Sequence, residues 1–131
     1  MIVDTSAIVA YFLKESSAER IESVLLEAEE TGISSATLLE CAIVLSHRLG
    51  SDIESTLDGF LVASDINIIP FIGRHYQLAY RAFRIYGKGR GHRAKLNFGD
   101  CLTYATAKLA DMPLLYIGDD FTHTDLKLIT L

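Results

Sequence analysis

Short apolar runs separated by helix-patterned stretches constrain this chain more than any other feature. Met1–Asp4 (MIVD), Ile66–Ile69 before Pro70, and Leu114–Ile117 read as strands, with Ile33–Ser35 a further one and Leu126–Thr130 a short fifth. Apolar runs of this length without alternation belong to strands buried on both faces. Between them lie helices. One opens at Thr5 or Ser6, as its cap, and runs to about Leu13. The next starts at Ser17, carries Ile21, Val24, Leu25 and Ala28 on one face, and stops at Gly32. Ala36–Leu49 is a third, closed by Gly50. A fourth is capped by Asp52 and buries Ile53, Leu57, Phe60 and Leu61. Gly73–Tyr86 is a fifth, with Tyr76, Ala79, Tyr80 and Phe83 inward. A sixth is opened by Asp100 and ends near Ala110. Lys88–Lys95 is an aperiodic loop. Strands alternating with helices predict an α/β fold, a parallel sheet covered on both sides. Ligands of such sheets sit beyond the carboxyl ends of the strands.

At 131 residues, half of them hydrophobic and 22% charged, the chain has the size and core of one domain. No apolar run reaches the ~18 residues of a membrane span. Asp4 interrupts the first run and no basic segment precedes it, so no secretory signal is expected. Cys41 and Cys101 lie in helical stretches, at a spacing that suits neither a disulfide framework nor zinc. They read as small core residues. His47, His75, His92 and His123 share no metal-ligand spacing. These features predict a cytoplasmic protein in a reduced compartment.

Four acidic positions stand alone in stretches that belong in a core. Asp4 is the only charge in residues 1–13, Glu40 in 31–47, and Asp100 in 96–107; Asp119 and Asp120 are the only charges in 112–124. Carboxylates are seldom buried unless paired or bound to a cation. Each has a structural reading: Asp4 as a helix cap, Asp100 as an acid in a first turn, Asp119 or Asp120 as turn residues. Glu40 resists one, because no basic residue lies at i±3 or i±4. If the four converge they repel one another. An all-oxygen cluster then favours a hard cation, Mg²⁺ or Mn²⁺. Carboxylate-held divalent ions activate water and stabilise charge in phosphodiester hydrolysis.

The charge distribution supplies a second signal. Net charge is −5, yet Ile66–Gly99 contains no acid and holds Arg74, Arg81, Arg84, Lys88, Arg90, Arg93 and Lys95. That segment carries +7. The other five basic and seventeen acidic residues leave −12. A basic block on an acidic protein is a candidate phosphate footprint, or a surface for an acidic partner. Arg81, Arg84 and Lys88 share a helix face, and Arg90, Arg93 and Lys95 follow in the loop that leads to Asp100. His92 lies within the same block as a further candidate contact. Tyr80 and Tyr86 suit base stacking or, more simply, core packing.

The segments MIVDTSAIVA, LLECAIVL, NFGDCLTYATA and LLYIGDDFTHTD, in that order across the whole chain, resemble the PIN-domain ribonucleases, and among them the VapC toxins of toxin–antitoxin pairs. The resemblance implies one PIN-like domain over residues 1–131, a three-layer α/β/α fold with a central parallel sheet of four to five strands. It implies that Asp4, Glu40 and Asp100 are the acidic triad, with Asp4 and Asp100 the most direct metal ligands. Asp119 is the preferred fourth acid beside Asp120, and Ser6 the hydroxyl that supports Asp4. Family membership further implies cleavage of structured RNA (transfer RNA or a ribosomal loop), a homodimer, and silencing by a cognate VapB-type antitoxin. Two other classes compete. A phospho-acceptor α/β domain also places Asp at strand ends, but prefers a second Asp beside the first and a late Lys. A PIN-like scaffold that binds RNA or protein without cutting is expected to have lost some acids, and here none is missing.

Overall fold

Ile2–Val3 forms β1, the first strand of a sheet whose every pairing is parallel. The computed structural model describes residues 1–131. β1 is followed by α1 (Thr5–Phe12), α2 (Ala18–Glu27), β2 (Thr31–Ser34), α3 (Ser35–Leu49), α4 (Glu54–Ala63), β3 (Ile66–Ile69), α5 (Gly73–Tyr86), α6 (Phe98–Ala110) and β4 (Leu114–Leu115). The strand order is β3-β2-β1-β4, with Ile2 opposite both Gly32 and Leu114. The chain therefore builds outward from β1 to β3, then returns to the other side of β1. That reversal opens a crevice beyond the carboxyl ends of β1 and β4, where open α/β sheets hold their ligands.

Alternate side chains of the sheet feed two cores. Val3, Ile33, Ile66 and Leu115 pack with α1–α4 residues such as Ile8, Ile21, Cys41, Leu45 and Leu57. Ile2 and Leu114 pack with Ala79, Ala82, Tyr104, Ala105 and Phe121 on the side of α5 and α6. The result is the expected three-layer α/β/α architecture with four parallel strands. No helix is long and apolar enough to cross a membrane.

Several local expectations are revised. Of the caps the sequence offered for α1, Asp4 is the one used, not Thr5 or Ser6: the Asp4 carboxylate accepts from the Ser6 amide. α2 ends at Glu27, and Gly32 lies inside β2. A Cβ at Gly32 would stand 2.6 Å from Ile69 Cδ1, so the glycine serves close strand packing, not helix termination. Gly50 does end α3, at φ 67°. The 126–130 segment is not a strand. It makes one bridge, Leu128 to Leu114, and covers the open edge of β4 with two backbone hydrogen bonds at 2.9 Å. Lys108–Asp125 (2.6 Å) and Lys127–Asp111 (2.8 Å) pin this tail.

The inward stripe of α5 is also turned. His75, Ala79 and Ala82 are buried, whereas Tyr76, Tyr80 and Phe83 are exposed. The true stripe lies one residue, roughly 100°, round from the expected one. Its small alanines let α5 approach α6 closely, which larger rings in that position would prevent. The displaced aromatics, with Phe71 and Phe98, line an open groove of about 400 Å³.

Candidate active site

β1 is so short that Asp4, its first residue beyond the named strand, still donates its amide to Leu115 at 3.0 Å. The backbone is thus held between sheet and helix, and the Asp4 side chain, 5% exposed, is fixed at both oxygens. Oδ2 accepts from the Ser6 amide (3.0 Å) and Ser6 Oγ (2.6 Å), while Oδ1 accepts from Thr103 Oγ1 (2.7 Å). Ser6 Oγ in turn accepts from the Ile117 amide (3.0 Å), so one hydroxyl ties the exit of β1 to the exit of β4. Thr103 Oγ1 lies 3.2 Å from Thr37 Oγ1, and both threonines are buried.

Glu40 is half-buried on α3, one turn beyond Thr37. Its Oε1 accepts from Thr5 Oγ1 at 2.6 Å. Asp100 enters from the other layer, in the first turn of α6. It forms a reciprocal cap with Asn97: the Asn97 amide donates to Asp100 Oδ2, and the Asp100 amide to Asn97 Oδ1, both at 2.9 Å. Asp100 is thus an acid in a first turn, as the sequence suggests, with Asn97 at the cap; that role is incomplete. Burial, helped by the charges of Asp120, Asp4 and Glu40 and opposed by the donated bond from Asn97, pushes its carboxyl up to about 7.

The fourth acid lies in the turn after β4, where Gly118 adopts φ 102°. Asp119 and Asp120 are both exposed. Asp120 feels the charge of the group: burial raises its pKa, then Asp4, then Asp119, and Asp120 in turn raises Asp100. The preference for Asp119 rested on its nearness to the strand.

No lysine or arginine neutralises this group; the chain's two ion pairs are the tail pins. The donors present are carboxylate and hydroxyl oxygens, the chemistry that suits Mg²⁺ or Mn²⁺ and not zinc. No three acid, His or Cys side chains are close enough to form a ready coordination shell. The residues fit a hard cation by donor type and by uncompensated charge. Cys41 and Cys101 are no part of the chemistry. Burial and the neighbouring acids push their thiols to about 12 and about 11, so both stay protonated.

A pH dependence follows. The folded, metal-free protein holds a proton on Asp100 up to about pH 7, whereas the unfolded carboxyl releases it near 3.8. That contribution to stability is complete below about pH 4 and is lost as pH rises through about 7. Asp100→Asn, which keeps the bond from Asn97, removes it. Melting temperatures in chelator from pH 4 to 8 are therefore expected to fall less steeply for the variant. Parallel slopes contradict the assignment.

The basic residues Arg81, Arg84, Lys88, Arg90, Arg93 and Lys95 are all exposed and take part in no ion pair. Lys88 does not share a helix face with Arg81 and Arg84, because α5 ends at Tyr86 and Gly87 turns the chain into the loop. Arg81, Arg84 and Arg90 surround one shallow depression, with Arg90 Nε donating to the Arg84 carbonyl (3.4 Å). The 88–95 loop is closed at its base. Lys88 donates to the Leu96 carbonyl (2.9 Å) and Leu96 to the Tyr86 carbonyl (2.8 Å). His92 is turned to the loop itself, accepting from the Ala94 amide, and Tyr86 packs on Tyr104.

Sequence reasoning missed Thr5, Thr37, Thr103, Asn97 and Gly99. A signal existed for two of them. Thr37 and Thr103 each lie three residues from a lone acid on the same helix, hence on one face.

Residues 1–127 match the PIN domain family. The chain is 40% identical to ribonuclease VapC30 of Mycobacterium tuberculosis (strain H37Rv), spanning all of this chain and 99% of the relative. It is 44% identical to ribonuclease VapC36 of the same strain, over 97% of this chain and 91% of the relative. Among solved structures it resembles M. tuberculosis VapC20, a sarcin-ricin loop cleaving toxin, at TM-score 0.76 and 13% identity, covering 95% of each chain. A toxin–antitoxin complex from Klebsiella pneumoniae is similar at TM-score 0.71 and 18% identity, over 98% of this chain and 95% of the other. At such identities these structural likenesses concern the fold.

Proposed function

This chain belongs to the PIN-domain family, and from that premise we propose that it is the toxin of a toxin–antitoxin pair, a metal-dependent endoribonuclease. Its substrate is the phosphodiester backbone of a structured RNA, transfer or ribosomal, and its silencing partner a VapB-type antitoxin. The observation that carries the reading is the group of acids without counter-charge at the sheet's reversal point, on a chain with full-length VapC ribonuclease relatives.

Asp4, Asp100 and Glu40 would hold Mg²⁺ or Mn²⁺, with Asp120 or Asp119 completing the set. The bound ion supplies a water of lowered pKa and stabilises charge on the phosphate. Ser6 and Thr103 orient Asp4 through both its oxygens, and the three accepted bonds leave one lone-pair site of its carboxylate for a cation. Thr5 does the same for Glu40. Asp100 holds a proton near neutrality in the metal-free state and gives it up as a cation takes its place. The protein would act in the cytoplasm as a homodimer, burying part of the exposed apolar surface; its mass in solution tests this. The single domain over residues 1–131 belongs to the same proposal. RNA cleavage by purified protein, with and without chelator, tests the activity.

An acidic enzyme needs a local counterweight to hold a polyanion. Arg81, Arg84, Lys88, Arg90, Arg93 and Lys95 are placed to grip phosphates. Neutralising Arg90, Arg93 and Lys95 together is expected to weaken RNA binding and lower its salt slope by about two to three counterions. Metal affinity stays unchanged. If the triple variant keeps the parental RNA affinity and slope but loses the antitoxin, the block is a protein-docking surface instead. Isotherms at several salt concentrations, on an Asp100→Asn background, separate the two.

A further inference from the structure

Gly99 lies between Phe98 and Asp100 in the first turn of α6, on ordinary helical backbone. Its conformation therefore makes no demand for glycine, and by helix propensity alanine is the better residue there. Space makes the demand. A Cβ at position 99 would stand 1.9 Å from Glu40 Oε2, 2.7 Å from its Cδ and 3.0 Å from Oε1. The Glu40 carboxylate thus occupies the volume of the side chain that residue 99 lacks. Its other oxygen is the one held by Thr5 Oγ1 at 2.6 Å. The carboxylate is fixed from two sides, by a hydroxyl on α1 and by a bare backbone face on α6.

We propose that Gly99 is a positioning residue: by lacking a side chain it seats the Glu40 carboxylate beside Asp100 and so completes the metal-binding set. The inference rests on the reading of Glu40 as a member of that set. An added methyl meets only the far end of a flexible side chain, so the fold can absorb it. The carboxylate has to leave its seat or give up its bond to Thr5. A methyl at 99 therefore acts on the site and spares the structure.

The test is a cycle of Gly99→Ala, Glu40→Ala and the double variant. Each is titrated with Mn²⁺ alone by calorimetry, melted in chelator, and assayed for RNA cleavage. Gly99→Ala is expected to weaken Mn²⁺ binding and cleavage at least tenfold, the usual scale for a group that orients a ligand. Its melting temperature stays equal to or above the parent's. In the Glu40→Ala background the same substitution changes neither quantity. Parental Mn²⁺ affinity in Gly99→Ala, beside a weakened Glu40→Ala, overturns the role of Gly99 alone. So does a Gly99→Ala loss that persists in full without Glu40. Parental Mn²⁺ affinity and cleavage in Glu40→Ala overturn the reading of Glu40 itself, and the inference with it.

Discussion

Asp4→Asn and Asp100→Asn are each expected to cut RNA cleavage by roughly 1000-fold or more in Mg²⁺ or Mn²⁺, with the fold intact. Stabilisation by a bound cation is worth several kcal/mol in the transition state, and each 1.36 kcal/mol is tenfold in rate. Amide for carboxylate preserves shape. Asn is as good a helix cap as Asp, so residue 4 keeps its bond from the Ser6 amide. At residue 100 the carbonyl oxygen still accepts from the Asn97 amide. What is lost is one negative charge from a group that has no basic partner, and at residue 4 the Thr103 hydroxyl has to turn from donor to acceptor toward the new amide nitrogen. Without metal, both variants should therefore melt no lower than the parent, and Asp100→Asn higher at neutral pH. A purified variant that cuts RNA at the parental rate would sink the active-site assignment.

Millimolar Mn²⁺ is expected to raise the melting temperature by roughly 5–15 °C and to release protons on binding. A cation present at a hundred times its dissociation constant stabilises by about 2.7 kcal/mol, and each kcal/mol moves a domain of this size by several degrees. The proton comes from Asp100, which burial and its acidic neighbours hold protonated up to about pH 7. Release should approach one proton per ion near pH 6 and vanish above about pH 8. Calorimetry in two buffers of different ionisation enthalpy measures it directly. If millimolar Mn²⁺ produces no binding heat and no thermal shift, there is no metal site in this crevice.

Much of the candidate site is visible in the sequence because its signal is local. Asp4, Glu40 and Asp100 each break an apolar stretch, and a charge among core residues stands out without knowledge of what it faces. The helix over 73–86 is equally local, written by periodicity and bounded by Pro70 and Gly87. Its inward face is another matter. Tyr76, Tyr80 and Phe83 form as plausible a stripe as His75, Ala79 and Ala82. Hydrophobicity alone prefers the rings, whereas close approach to α6 requires the alanines.

Sequence by itself determined the order of strands and helices, their parallel pairing, and the three lone acids placed near the carboxyl edge. Those follow from apolar runs and helical periods, which are properties of neighbours in the chain. Tertiary structure alone decided that Asp120 lies near enough to Asp4 and Asp100 for their charges to act on one another. It also decided that Asp100, bonded to the Asn97 cap of its own helix, feels the charge of three other acids. The hydroxyls of Thr5 and Thr103 acquire meaning only from the carboxylates they meet, the second of them ninety-nine residues away. Gly99 matters through an atom it lacks and a glutamate on another layer that fills the space. Hydrogen bonds and excluded volume act across a few ångströms of space, whatever the separation along the chain, and packing alone brings these groups within that range.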